Sequence, residues 1–330
     1  MILIDTNKLL ALIKQPIEKE LRQFDETISK ALKNSNPLLN EVIDFVFKKN
    51  GKQIRPILTY LSAKFCGEPN KSTTEIAVSL ELLHIASLLH DDVVDNSSER
   101  RGQSSVNACF DNKTAVLAGD FFLASSLALA TETKNMQILR IISFLGRDLS
   151  SGEIKQLNVS NQNIIDENVY FDVIKQKTAA LFSACALAGA ASVGASEDKI
   201  ALMQKVGENI GIMFQIKDDI FDYFDDKNIG KPTGSDLREG KITLPLIYSI
   251  CTSENLNEKE ITKIISNKDF SETNIQKIVH FAKENGGITY AENVMKAYRR
   301  ETLDLLSDMP EGEVKTAFVC LLDYLVKRDK

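Results

Sequence analysis

The chain has 330 residues, 43% of them hydrophobic, with a formal net charge of −6. That is enough apolar material for a sizeable core, and the acidic balance argues against a nucleic-acid binder, which shows a basic excess. Only 16 glycines and 7 prolines are present, well below the roughly 12% combined average usage, so long helices are expected rather than sheets.

Hydrophobic periodicity predicts helices over 5–34, 38–48, 54–66, 73–95, 113–132, 135–158, 166–193, 197–224, 241–252, 257–267, 272–285, 288–307 and 312–328. No alternating β-branched run obliges a strand. No linker rich in Pro, Gly or Ser divides the chain, so one domain over 1–330 is expected. Five scattered cysteines (Cys66, Cys109, Cys185, Cys251, Cys320) form no CxxC pair. They suggest neither a zinc site nor a disulfide framework, which fits a reducing cytoplasm. The N-terminus lacks a signal-peptide pattern, and no window holds the uninterrupted apolar run of a membrane span. A soluble cytoplasmic protein is the expectation.

Residues 76–90 and 206–221 are apolar on nearly every face, which places them inside a bundle. Each ends in the same pattern. Asp91, Asp92 and Asp95 close the first, and Asp218, Asp219 and Asp222 close the second. In each DDxxD the outer aspartates lie four apart and share a helix face. Like charges repel there, and a helix C-terminus prefers cations. A positive partner is therefore required. Carboxylates without cysteine suit Mg²⁺, which fills its octahedron with water and phosphate oxygens. A single acidic triplet would read as a solvated helix end; two in matched contexts do not.

Basic residues are spaced to meet a diphosphate. Lys52 and Arg55 sit at a helix start, where free N–H groups also favour an anion. Arg100 and Arg101 follow the first aspartate cluster. Lys177 and Thr178 lie between the clusters, and Lys231 and Lys241 flank the polar loop after the second.

These segments, GKQIRP (51–56), HIASLLHDDVVD (84–95), ERRG (99–102), QKTAALF (176–182), FQIKDDIFD (214–222) and GKPTGSDLREGKITLP (230–245), resemble the trans-isoprenyl diphosphate synthases in order and content. The resemblance implies an all-α, single-domain helical bundle around a deep central cavity, as a homodimer. It implies that Asp91, Asp95, Asp218 and Asp222 hold Mg²⁺, three ions per site, against an allylic diphosphate, with Asp92 and Asp219 assisting. Arg100, Lys177, Lys231 and Lys241 would bind that diphosphate. Lys52, Arg55, His84 and Arg101 would hold isopentenyl diphosphate without metal. Thr178 and Gln215 would steady the allylic cation through their dipoles. Gln53 departs from the family, which often carries a basic residue there.

Ala86 and Ser87 lie five and four residues before Asp91, roughly 6–7.5 Å deeper along a helix. In short-chain relatives a large aromatic here resembles a pocket floor. Two small residues, with no insertion between the aspartates, predict a long product, from hexaprenyl to decaprenyl with octaprenyl favoured, built on farnesyl diphosphate for quinone side chains. The floor is then expected among Phe121, Phe122 and Leu127. Release of so apolar a product invites transient membrane contact. The alternatives are a farnesyl or geranylgeranyl synthase, a terpene cyclase, and a non-catalytic subunit of a heteromeric synthase. A cyclase has no use for Lys52, Arg55 and His84, and a non-catalytic subunit would be expected to lose aspartates.

Overall fold

A computed structural model describes residues 5–48, 51–100, 103–224, 233–253 and 256–328. A capping box starts its most buried helix. Asn70 Oδ1 accepts from the Thr73 backbone N–H, and Thr73 Oγ1 accepts from the Asn70 N–H, satisfying two groups the helix end would otherwise strand. The helix then runs Lys71–Val94. Ile76, Ala77, Val78, Leu80, Leu82, Leu83 and Ala86 are all buried, so the apolar-all-round segment is the hub of a bundle.

Around it stand helices Ile54–Cys66, Asn112–Glu132, Met136–Gln162, Ala180–Ser192 and Glu197–Phe221. Helix Glu197–Phe221 approaches its neighbour closely because it carries glycines at the contact. A Cβ on Gly207 would stand 2.5 Å from the Phe182 carbonyl oxygen, and one on Gly211 would stand 2.5 Å from Ala179 Cα. Without those side chains the helix presses Gln215 against Thr178. The N-terminal helices Thr6–Lys14 and Glu18–Ala31 and the C-terminal helix Glu313–Lys327 pack around the same core. Helices Leu244–Thr252, Leu256–Ser266 and Glu272–Glu284 build a second apolar cluster beside it.

The all-α expectation holds: among the described residues the only strands are Glu99–Arg100 and Gln103–Ser104, a two-residue antiparallel ladder. Two long predicted helices are interrupted. The expected 5–34 helix breaks at a 3₁₀ turn, Gln15–Ile17, because Pro16 lacks an N–H and clashes with the preceding turn. The expected 166–193 helix widens into a π turn at Lys175–Ala179, a form often found at functional sites. By length and composition, Lys71–Val94 and Asn112–Glu132 are also apolar enough to cross a membrane, although neither is an uninterrupted apolar run. The first is a core helix of the bundle. The second leaves Val116, Leu117 and Leu127 exposed.

Candidate active site

The two aspartate-bearing helices end at one cavity of about 1210 Å³. Asp91 and Asp95 line it from helix Lys71–Val94 and its cap; Asp218, Asp219 and Asp222 line it from helix Glu197–Phe221 and its cap. Lys52, Arg55, His84, Ala86, Ser87, Arg100, Lys177, Thr178, Gln215 and Lys241 line the same space. Most of the predicted site therefore converges. Arg101 and Lys231 lie outside the described residues.

Burial sets the electrostatics. It pushes the Asp91 carboxyl up to about 6, with Lys177 pulling the other way and Glu153 and Asp95 adding to the rise. Burial first, and then Asp236, pushes Asp219 up to about 8. Such carboxylates need positive charge nearby, and side chains supply some of it. Lys241 reaches Asp95 at 3.8 Å and also pairs with Glu239. Although burial works against its ammonium, these partners hold Lys241 above its usual value. Arg328, buried near the C-terminus, donates to Asp218 Oδ1 at 2.5 Å and to the Phe214 carbonyl at 2.9 Å, with its guanidinium over the Phe214 ring.

Asp92 is a correction to the expected catalytic set. It faces away from the cavity, 2% exposed, and accepts from Arg100 Nε at 2.7 Å and Nη2 at 2.6 Å. Asp92 aims Arg100; it does not reach the cavity itself. The cause is helical geometry, since the residue after Asp91 is turned about 100° from it. Asp219 is rotated in the same sense. It keeps contact with the cavity but is saturated by Tyr170 and Gln215.

Carboxylate oxygens are the donors Mg²⁺ takes, and the outer aspartates of both motifs, Asp91, Asp95, Asp218 and Asp222, line the cavity together with Arg100, Lys177, Lys241 and Arg328. Among the described residues no three acidic, histidine or cysteine side chains form a ready chelating group. The two pairs line one cavity, which suits a dication whose remaining ligands come from water and a diphosphate. The residues fit that group.

On the other side of the cavity, Lys52 lies over the Tyr324 ring at 5.2 Å, and Arg55 over Phe182 at 4.8 Å. Gln53, in the left-handed conformation at φ 58°, turns its amide to Asp25. Its non-basic side chain thus serves the helix start, and Lys52 and Arg55 remain directed at the cavity.

The expected floor is also corrected. Phe122 is fully buried against Phe47 and Phe121, and Leu127 is on the outer surface. None of Phe121, Phe122 and Leu127 lines the cavity, whereas Leu83, Leu123 and Leu149 are among the apolar residues that do. Sequence reasoning also missed Glu153, which pairs with Lys177 at 2.5 Å, as well as Tyr170 and Arg328. Tyr170 carried a signal, being two helical turns before Lys177 on the same face. Arg328, in a basic C-terminal run, carried none.

A polyprenyl synthetase family profile matches residues 36–282. An all-trans-nonaprenyl-diphosphate synthase (geranyl-diphosphate specific) from Rhodobacter capsulatus is 33% identical, over 96% of this chain and 97% of that protein. A crystal structure of geranylgeranyl pyrophosphate synthase from Bacteroides thetaiotaomicron superposes with a TM-score of 0.85 at 44% identity, covering 97% of this chain and 99% of that one. A polyprenyl synthase from Caulobacter crescentus CB15, complexed with calcium and isoprenyl diphosphate, gives a TM-score of 0.91 at 29% identity over 97% and 98%. Near end-to-end relatives and a profile covering both aspartate clusters agree with the geometry: the chain belongs to the polyprenyl synthetase family and is a prenyltransferase.

Proposed function

We propose that this protein is a Mg²⁺-dependent trans-polyprenyl diphosphate synthase that adds isopentenyl diphosphate repeatedly to an allylic diphosphate such as farnesyl diphosphate. The observation that carries the reading is the pair of DDxxD helix ends facing one cavity, with cations on every side. Asp91, Asp95, Asp218 and Asp222 would hold the metal, three ions in the family's manner. Mg²⁺, when bound, neutralises diphosphate oxygens and stabilises the charge that grows on the leaving group.

The chain's own side chains do the rest. Lys177, Arg100 and Lys241, with Lys231, bind the allylic diphosphate; Glu153 and Asp92 hold the first two in place. Their charge is fixed before the C–O bond breaks, so little reorganisation is needed at the transition state. Lys52, Arg55 and His84, with Arg101, hold isopentenyl diphosphate apart from the carboxylates, so its own diphosphate survives the cycle. Thr178 and Gln215 line the cavity between the two groups, where the cation forms. The double bond attacks from an aligned position, and the departing diphosphate takes the final proton. Asp91→Ala or Asp218→Ala should lower turnover at least about 1000-fold while circular dichroism stays unchanged; near-normal activity in either variant would remove that residue from the metal set.

Protons compete with metal at Asp91. Its carboxyl, raised to about 6 in the fold from 3.8, is favoured in the protonated form. Its contribution to folding is therefore lost as pH rises through 6, and a dication restores it. Mg²⁺ affinity measured by calorimetry should fall as pH drops below about 6, and a flat affinity between pH 5 and 7 would contradict this.

Ala86 and Ser87 line the cavity and leave the way past the first helical turn open, which supports a hexaprenyl-to-decaprenyl product, octaprenyl favoured, of the kind used in quinone side chains. The nonaprenyl relative agrees. A second reading, a geranylgeranyl product, is favoured by the large side chains of Leu83, Leu123 and Leu149 in the cavity lining. Leu83 lies roughly 12 Å below Asp91 along the helix, and the 44%-identical structure is that of a geranylgeranyl pyrophosphate synthase. Sizing the products from labelled isopentenyl diphosphate and farnesyl diphosphate separates the two. A ladder well past geranylgeranyl that Ala86→Phe shortens supports the long product; a single geranylgeranyl band supports the leucine floor.

We read residues 1–330 as one catalytic domain in the cytoplasm and as a homodimer. Val116, Leu117 and Leu127 on helix Asn112–Glu132, with Phe144 on helix Met136–Gln162, are exposed apolar side chains that a second copy would cover. Val94, Ile154 and Leu157 are exposed at the cavity mouth and suit brief membrane contact during release. Sedimentation should find a dimer that Leu117→Glu splits; a monomeric wild type would rule the dimer out.

A further inference from the structure

Tyr170 touches neither set of cations, yet a chain of hydrogen bonds runs from it to the centre of the cavity. Its hydroxyl donates to Asp219 Oδ2 at 2.5 Å. Asp219 Oδ1 accepts from Gln215 Nε2 at 2.7 Å. Gln215 Oε1 accepts from Thr178 Oγ1 at 2.6 Å. Both ends of the first link are buried, Tyr170 at 7% and Asp219 at 2% exposure.

With Asp219 ionised, every link has one possible polarity. Asp219 receives on both oxygens, so Gln215 must turn its NH₂ toward it; the flipped amide would set oxygen against oxygen. That leaves the Gln215 carbonyl for Thr178, which must therefore donate. A hydroxyl has one proton and two lone pairs. With its proton committed to Gln215, Thr178 keeps its lone pairs for the cavity, the negative end of a dipole toward a growing allylic cation. Reversing Gln215 would present the proton instead, which opposes the cation.

Tyr170 is what holds the start of the chain. Asp219 stands beside Asp218 in the cluster, near Asp236, and its carboxylate is free to turn toward any positive charge in the cavity unless something retains it. Tyr170 does so from helix Glu167–Ile174, with its ring edge packed on Phe171 at 5.4 Å. The π turn Lys175–Ala179 presents both Lys177 and Thr178 to the cavity, which adjacent residues in a regular helix, about 100° apart, do less readily.

We infer that Tyr170 is a positioning residue for prenyl transfer: by anchoring Asp219 it sets, through Gln215, the dipole that Thr178 turns toward the allylic cation. This rests on the prenyltransferase reading of the cavity and extends it to a residue outside both aspartate motifs.

A double-mutant cycle on the full-length enzyme, with farnesyl and isopentenyl diphosphates, tests it. Tyr170→Phe keeps the ring and should lower kcat roughly 10- to 100-fold, with KM for isopentenyl diphosphate changed less than about 3-fold. Gln215→Met should cost a similar factor, and the double variant should be no worse than the poorer single variant, because one chain is cut twice. A double variant that loses the product of the two factors, or a Tyr170→Phe that raises KM and spares kcat, overturns the proposal. Should Tyr170→Phe fail to fold by circular dichroism, Thr178→Val and Gln215→Met run the same cycle lower in the chain, and additivity there overturns it equally. Wild-type turnover separates the two levels: an inactive wild type overturns both, whereas an active one with an additive cycle overturns only the role of Tyr170.

Discussion

Five aspartates from two DDxxD motifs, gathered at one cavity, are the constraint around which this fold is arranged. Each cluster ends a helix at the pole that already carries partial negative charge, and burial adds a desolvation cost to every ionised oxygen. The bundle offsets this locally with side-chain cations. Lys241 stands near Asp95, Arg328 near Asp218, and Arg100 on Asp92. These cations come from distant parts of the chain, so the charge pattern also ties Arg328 and the strand Glu99–Arg100 to the core. A dication and a diphosphate supply the same compensation in another form. That electrostatic cost would make the site receptive to a metal–diphosphate ligand.

Placing two such poles face to face demands helices that are buried on all sides and closely packed. Helix Lys71–Val94 meets this with an apolar circumference, and helix Glu197–Phe221 with glycines at its contact with the Ala179–Ala186 segment. Backbone packed on backbone leaves little room for drift. That stiffness matters because a hydroxyl dipole or a guanidinium aids a cation or a leaving group only while it stays oriented.

Much of this was legible in the residues. The 3.6-residue period marked the helices, and the four-residue spacing marked which aspartates share the cavity face. What escaped was set by contacts distant in sequence. Arg328 reaches Asp218 only because the C-terminal helix packs against the bundle. Glu153 meets Lys177 across two helices, a pairing that no spacing in the sequence marks. Leu123 lines the cavity instead of Phe121 or Phe122, since a helix that is apolar on most faces does not declare which face a cavity will take. Pro16 could have been read as a break and was outweighed by the periodicity around it.

Each DDxxD divides its work by helical angle. The first and last aspartates look into the cavity; the middle one, turned about 100°, is buried and braces something else. Asp92 braces a cation, Arg100; Asp219 braces a polar chain that ends on Thr178. The two inner residues are therefore not spare ligands. A buried carboxylate must be fully hydrogen-bonded to persist, and that same requirement makes each a rigid bracket for the group it contacts. One motif repeated on two helices thus yields four carboxylates that line the cavity and two that brace its other side chains, and the inner pair can do so only while their partners, Arg100 on one side and Tyr170 with Gln215 on the other, stay in place.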